Sequence, residues 1–235
     1  MADKIALVTG GARGIGEATA NALAPLGYHV VVTDILVPQG EQVAHRLISA
    51  GHSAEFRRLD VMDTAGVNDV VASVERARKA PFDLIVNNAG FVNPKPLDEM
   101  TDQDWDTVQD GNLKSMMRVC RAATPAMKKA RRGSIVCMSS FAGFTIGWTD
   151  RLAYCSAKAG IAGFVRSLAI DLGRYNIRVN GIAPAGLHAT ADQVPLGRVG
   201  TPADIANAVA LLASDLADYI TGQIISVDGG MSVAL

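Results

Sequence analysis

Net charge, cysteine and long apolar runs are all scarce in this chain, and each scarcity closes off a class of function. Lys and Arg number 22 against 23 Asp and Glu, a formal net charge of −1. That balance builds no basic field for nucleic acid. The one basic cluster, KKARR at 128–132, reads as a solvated helix end. Cys120, Cys137 and Cys155 have neither CxxC nor metal-ligand spacing. They read as reduced thiols of a cytoplasmic protein, and no metal site is expected. No segment approaches the apolar length of a membrane span. The opening MADKIALVTGG enters a short apolar strand without the parts of a signal peptide. Repeats, low-complexity segments and linkers are lacking too, so residues 1–235 are expected to form one domain.

What is present suits an α/β protein: 49% hydrophobic residues and 23 glycines for tight turns. Short β-branched runs alternate with longer helical patterns. Strands are expected over 4–9, 29–34, 55–60, 82–90, 133–140, 176–183 and 223–230. Helices are expected over 14–26 and 39–50, after the third strand, over 102–129 as one region or two, and from Tyr154 onward. Ile161, Phe164, Val165, Leu168 and Leu172 give that last helix one buried stripe. Strict alternation predicts a parallel sheet with helices on both faces. In such a sheet ligands bind outside the carboxyl ends of the strands. Here those ends read TGGARGIG, Asp34, Asp60, NNAG, SSFAG and IAPAG, nearly all polar or glycine-rich.

TGGARGIG places Gly10, Gly14 and Gly16 between the first strand and its helix. Glycines there let backbone N–H groups approach a pyrophosphate at a helix N-terminus. The spacing is G-x-x-x-G-x-G, and Thr19 stands where G-x-G-x-x-G would need its last glycine. Asp34 closes the second strand where an acidic residue meets an adenosine ribose. Its carboxylate would repel a 2′-phosphate, and no Arg or Lys follows in DILVPQG, so NAD is expected in preference to NADP. Arg13 is the one basic residue of the loop that could meet such a phosphate.

Tyr154 precedes Lys158 by four residues, one helical turn, so the two side chains share a helix face. A free phenol, with a pKa of about 10, is a poor base near neutral pH. A neighbouring ammonium favours the phenolate, so Lys158 is expected to lower the Tyr154 pKa.

With TGGARGIG, NNAG at 87–90, the Ser140…Tyr154…Lys158 set and YITGQIISVDGG near the C-terminus, the chain resembles the short-chain dehydrogenases/reductases over essentially its full length. The resemblance implies a Rossmann-type, doubly wound, seven-stranded parallel sheet. It implies hydride transfer between a nicotinamide cofactor and an alcohol/carbonyl pair, commonly by a homotetramer. It gives Tyr154 the proton-carrying role, Ser140 a hydrogen bond to the same substrate oxygen, and Lys158 a hold on the nicotinamide ribose. Asn112 would support a proton relay through water to the lysine. Asp60, with Val61 beside it, would contact the adenine, and Asn87 the adenosine side. Arg13, Ile15, Ala89, Gly90, Pro184, Gly186 and Thr190 complete the expected cofactor contacts, Thr190 near the carboxamide.

Departures from the family pattern are local. Ser139 and Ser140 are adjacent, and alignment of SSFAG selects Ser140. The Ser140–Tyr154 separation is one residue longer than usual, an insertion in the 141–152 loop, with Trp148 in it as substrate wall or surface aromatic. Gly111 replaces an apolar residue and is expected to loosen the helix near Asn112. His29, His45 and His52 read as structural or solvated, and His188 as facing cofactor or solvent. PAGLHATADQVPLGRVGTP is too short for the usual substrate cover, which reads as a truncated lid or a missing mobile loop. Apolar surface at Ala157, Ala159, Ile161 and Ala162, and the terminal MSVAL, suggests subunit contacts. The expected substrate is a small secondary alcohol or ketone. The alternatives are an NADP-dependent 3-oxoacyl-thioester reductase, a catalytically idle NAD-binding regulator, and a sugar-nucleotide epimerase or dehydratase, for whose substrate domain the chain has no room.

Overall fold

The computed structural model describes residues 4–187 and 189–234. Its strands are β1 (Lys4–Thr9), β2 (Tyr28–Asp34), β3 (Ala54–Arg58), β4 (Leu84–Asn87), β5 (Gly133–Met138), β6 (Ile177–Pro184) and β7 (Ile224–Val227). They form one sheet in the order β3-β2-β1-β4-β5-β6-β7, every neighbouring pair parallel. Parallel neighbours need long crossovers, which helices supply. These are α1 (Gly14–Leu23), α2 (Val37–Ser49), α3 (Thr64–Arg78), α4 (Asp102–Gln109), α5 (Ser115–Ala130), the single turn α6 (Phe141–Phe144), α7 (Leu152–Gly173) and α8 (Pro202–Ala213). The strand order reverses direction between β1 and β4, which opens a crevice at their carboxyl ends. This is the expected Rossmann-type, doubly wound fold.

Both faces of the sheet are covered, so its central strands are apolar on both sides. Ile5 and Leu7 of β1 face one cluster, with Val67, Val71 and Val74 of α3, Met116 and Met127 of α5, and Ile161, Val165 and Leu172 of α7. Ala6 and Val8 face the other, with Leu23 of α1, Val43 and Leu47 of α2, and Ile205, Val209 and Leu212 of α8. Each fully buried Val, Leu or Ile contributes roughly 1.5–3 kcal/mol. Side chains close the helix starts. Asp63 accepts from Ala65 N (2.9 Å) ahead of α3. Thr101 with Asp104, and Thr201 with Asp204, form capping boxes for α4 and α8.

Two local expectations change and one open alternative is decided. β4 stops at Asn87, because the N–H groups of Asn88 and Ala89 donate to Thr9 Oγ1 (3.0 and 3.1 Å) instead of extending the ladder. The 102–130 region is continuous, with α4 joined to α5 by a π turn, Asp110–Lys114. Ala157, Ile161 and Ala162 are buried within the chain, so of the four residues suggested as subunit surface only Ala159 is exposed. Of the terminal MSVAL, Val233 is exposed as expected, and further apolar exposure lies at Ile170, Leu216 and Tyr219. Among the described residues no helix is long and apolar enough to cross a membrane.

Candidate active site

The carboxyl ends of six strands bring most of the expected residues to one crevice. At the β1 exit, Gly10 and Gly14 adopt positive φ, +63° and +57°. A Cβ on Gly16 would stand 2.0 Å from the carbonyl oxygen of Gly10, so only glycine lets α1 start against that loop. A Cβ on Gly14 would meet nothing within 4 Å. At Gly14 the start of α1 is thus open, as approach of a pyrophosphate requires. Arg13 is exposed and makes no side-chain hydrogen bond, and Ile15 packs on the α1–α2–α8 core. Asn88, which the sequence reading passed over, braces this loop: its amide donates to Thr9 O (2.9 Å) and Gly10 O (3.0 Å). The doubled asparagine of NNAG was the signal, but strand alternation alone does not say which one faces the crevice. Asn87 does not. It is buried, with its amide donating to Cys120 Sγ (3.4 Å) and Cys137 Sγ (3.7 Å). Asn87 can therefore meet an adenosine only through its backbone.

Asp34 is half-buried at the end of β2. Its Oδ2 accepts from Ala12 N (3.1 Å) and its Oδ1 from Leu36 N (3.0 Å). Each carboxylate oxygen keeps a second lone pair for a ribose hydroxyl. Asp60 is half-buried and accepts from Met62 N (2.9 Å), with Val61 partly buried beside it. The loop glycines, the open first turn of α1 and the free lone pairs of Asp34 fit a dinucleotide. Among the described residues no group of three His, Cys, Asp or Glu could hold a metal ion.

Deeper in the crevice, β5 hands over to α6 through Ser139 and Ser140. Strand alternation separates them. Ser139 Oγ is buried and donates to Lys158 O (2.8 Å), tying β5 to α7. Ser140 Oγ accepts from Ala142 N (3.2 Å) and hydrogen-bonds the Tyr154 phenol. Ser140, not Ser139, is the serine beside the Tyr154 phenol. Lys158 is only 4% exposed; its Nζ donates to Met138 O (2.8 Å) and lies 5.6 Å from the centroid of the Tyr154 ring.

Asn112 is fully buried in the π turn. Its Nδ2 donates to Phe91 O (2.9 Å) and Val108 O (3.0 Å), and its Oδ1 accepts from Phe91 N (3.2 Å). Gly90 sits between Asn112 and Lys158: a Cβ there would lie 2.5 Å from Asn112 Oδ1 and 3.5 Å from Lys158 Nζ. Gly111 has a more definite reason than a loosened helix. A Cβ on it would stand 2.4 Å from Cε1 of Phe91, so the glycine admits that ring beside the π turn.

The expectation that Lys158 lowers the Tyr154 pKa is corrected. Burial pushes the phenol above its ordinary value; the Ser140 hydrogen bond offsets this in part, and Cys155 adds a smaller upward push. Burial also lowers Lys158, to about 8. Burial dominates both shifts, neither group is among the causes of the other's, and the ammonium is bonded to a backbone carbonyl.

The short stretch after β6 is a folded connection. Gly186 is buried at φ +75° and its carbonyl accepts from Gly200 N (3.0 Å), which closes the loop on itself. Val194 is buried, Leu196 N donates to Gly229 O (3.1 Å), and Arg198 pairs with Asp204 through two bonds of 2.8 and 2.7 Å. Pro184 ends β6, half-buried. Thr190 is exposed at the start of the single turn Ala191–Gln193, where its N–H donates to Gln193 Oε1 (3.0 Å). His188 lies outside the described residues. Trp148 is exposed and stacks with Arg151, whose guanidinium carbon lies 4.0 Å from the ring centroid.

Comparison with known proteins agrees with this geometry. A family model described as Enoyl-(Acyl carrier protein) reductase matches residues 10–232. The chain is 40% identical to the 3-oxoacyl-(acyl-carrier-protein) reductase FabG of Chlamydia muridarum, covering 99% of this chain and 98% of that one. That alignment runs over 249 positions, more than this chain has, so this chain carries gaps where its relative carries residues. It is 37% identical to the trans-4-hydroxycyclohexanecarboxylate dehydrogenase of Sinomonas cyclohexanicum, over 98% of this chain and 93% of that one. The crystal structure of a candidate short-chain alcohol dehydrogenase from Sinorhizobium meliloti 1021 superposes with a TM-score of 0.93, at 33% identity, covering 99% and 98% of the two chains. The chain belongs to the short-chain dehydrogenase/reductase family of oxidoreductases.

Proposed function

We propose that this protein is an NAD-dependent oxidoreductase that interconverts a small secondary alcohol and its ketone. The observation that carries this reading is the meeting of Ser140, Tyr154 and Lys158 at the end of β5, with Asn112 buried beside Gly90 and Lys158. A bound nicotinamide supplies the hydride acceptor or donor. Tyr154 O–H donates its proton to the carbonyl oxygen in reduction and recovers it in oxidation. Ser140 holds the same oxygen. Lys158, a buried cation, stabilises the negative charge that Tyr154 carries after the proton leaves. Asn112 holds the Phe91 backbone that borders the site. The loop from Gly10 to Gly16, with Arg13 and Ile15, would hold the pyrophosphate. Asp34, Asp60, Val61, the Asn87 backbone and Ala89 would hold the adenosine, and Gly90, Tyr154, Lys158, Pro184 and Gly186 the nicotinamide half.

Asp34 supports NAD over NADP, because a second negative charge beside it would be repelled. Initial rates with the two cofactors test this. A preference for NAD of at least about tenfold, roughly 1.4 kcal/mol, is expected. Asp34→Ser combined with Ile35→Arg should erode or reverse it. Equal use of both cofactors by the wild-type protein would contradict the assignment.

A second reading is reduction of a 3-oxoacyl thioester with NADPH, favoured by the names of relatives such as the Chlamydia muridarum reductase. Exposed Arg13 is the residue that would serve it. Rapid reduction of acetoacetyl-coenzyme A with NADPH, and none with NADH, would select this reading instead.

A further inference from the structure

Arg151 stands immediately before α7, three residues ahead of Tyr154 on the same chain segment. Its carbonyl accepts from Cys155 N (2.8 Å), so it is joined to the first turn of the helix that carries the tyrosine. Its guanidinium carbon lies over the Trp148 ring, 4.0 Å from the centroid, and NH1 donates to Thr149 O (2.8 Å). The other edge of the group is unused: Nε is buried and has no hydrogen-bond partner, and NH2 makes no bond. Arg151 forms no ion pair among the described residues, whereas Arg118, the other arginine with a buried unmatched nitrogen, pairs with Asp110 (2.8 Å).

A guanidinium with a buried, unmatched N–H is costly to keep, by the penalty of an unmade hydrogen bond to a charged group. Its Nε–NH2 edge is one of the two forks by which arginine grips a carboxylate with two parallel bonds. The backbone places Arg151 on the segment that joins Ser140 to the first turn of the helix carrying Tyr154. The 141–151 loop starts at Ser140, whose hydroxyl bonds the Tyr154 phenol, and ends at Arg151. Lys95 N donates to Asp150 O (2.7 Å), which ties this loop to the segment leaving β4 past Phe91. Around it Phe91, Val92, Ile146 and Trp148 expose apolar surface.

We infer that Arg151, held on Trp148, is a specificity-determining residue that receives a carboxylate of the substrate while Tyr154 addresses the carbonyl or hydroxyl. The substrate class is a hydroxy acid or oxo acid whose two functions are separated by a short apolar spacer or ring. Seating the acid requires the Nε–NH2 edge to turn outward on the Trp148 face, since Nε is covered in the free protein. This inference rests on the proposed oxidoreductase reading for the role of Tyr154, but the binding of the acid does not require turnover.

The test uses paired probes: 4-oxopentanoate and 4-oxocyclohexanecarboxylate, each beside its neutral methyl ester. Binding to the protein with NADH is measured by calorimetry, and turnover is measured in parallel. The wild-type protein should bind at least one acid about tenfold or more tighter than its ester, the size of one charge-assisted contact. Arg151→Gln should bring the acid-to-ester ratio close to one. Arg151→Met keeps an apolar stem on Trp148 and serves if the Gln variant is unstable. Arg151→Glu should reverse the preference. Where turnover is measurable, the loss should appear in KM rather than kcat. Acid binding that depends on Arg151 without any turnover would retain the inference and remove the oxidoreductase reading. Turnover of ketones or of acetoacetyl-coenzyme A with no preference for acids, and no dependence on Arg151, would overturn the inference and leave that reading standing. Absence of both turnover and acid binding would overturn it as well.

Discussion

Lys158 carries the sharpest residue-scale consequence, because burial makes it a poor base for its proton. Its native pKa of about 8 lies below the ordinary 10.5. Between those values the unfolded chain holds a proton that the native state has released, so this lysine's contribution to stability rises with pH across that window. Below about 8 both states are protonated, and the contribution is flat at its least favourable level. The penalty there is of order 3 kcal/mol, from 1.36 kcal/mol per pK unit. Lys158→Met should therefore be at least as stable as wild type at pH 7 while losing turnover. The wild-type-minus-variant difference in unfolding free energy should shift in favour of wild type as pH rises from 8 to 10.5. Taking the difference cancels the opposing titration of Tyr28 and Cys120, both raised to about 12 by burial. A pH-independent difference in denaturant titrations would contradict the buried-cation account. Tyr154 and Lys158 were legible in the sequence because helical spacing puts residues four apart on one face. Their pKa values were not, since they depend on desolvation by residues distant in the chain. Asn88 and Arg151 were missed for the same reason: bracing Gly10 across from β4, or sitting over Trp148, leaves no spacing signal.

Among the elements, the π turn at Asp110–Lys114 shows what periodicity can and cannot reveal. Helical character over 102–130 was legible from the pattern; the extra residue in the turn was not, because it is fixed by Phe91 packing over Gly111 from another segment. Single π turns inside helices often mark functional sites. Gly111→Ala should push the Phe91 ring aside and cost about 1–3 kcal/mol by overpacking, with a loss of roughly 2–4 °C in Tm per kcal/mol for a chain of this size. Thermal unfolding checks this, and an unchanged Tm would mean that the half-exposed ring swings away freely. Gly16→Ala is harsher, since its Cβ would strike the backbone oxygen of Gly10 rather than a side chain. It should weaken NADH binding by more than about tenfold, 1.4 kcal/mol, as read by fluorescence titration. The shortness of the 186–200 loop was legible too. Its closure by Gly186, Val194 and Arg198 was not, because those contacts reach the β7 exit and α8.

For the whole molecule, strand alternation and the polar ends of the strands were enough to place a ligand crevice, because a parallel sheet delivers all its carboxyl ends to one side. Assembly was less legible. Buried Ala157, Ile161 and Ala162 look identical in sequence to a spare apolar face; Val233 of the terminal MSVAL is exposed as the sequence suggested, and the structure adds Leu216 and Tyr219. We expect these residues to be covered in a homotetramer, with a dimer as the smaller alternative. Light scattering showing a stable monomer at micromolar concentration would exclude both. The central claim is that residues from separate strand ends make one proton-carrying centre beside a bound nicotinamide, with Tyr154 as the carrier. The most direct measurement is Tyr154→Phe, assayed for NADH binding and for ketone reduction in the same preparation. The variant removes one hydroxyl from a half-buried site, so NADH affinity should stay within about threefold, under 0.7 kcal/mol. Turnover should fall by the 10²–10⁴-fold that a positioned general acid typically contributes. A variant that reduces ketones within about tenfold of wild type, a barrier change near 1.4 kcal/mol, would contradict the account.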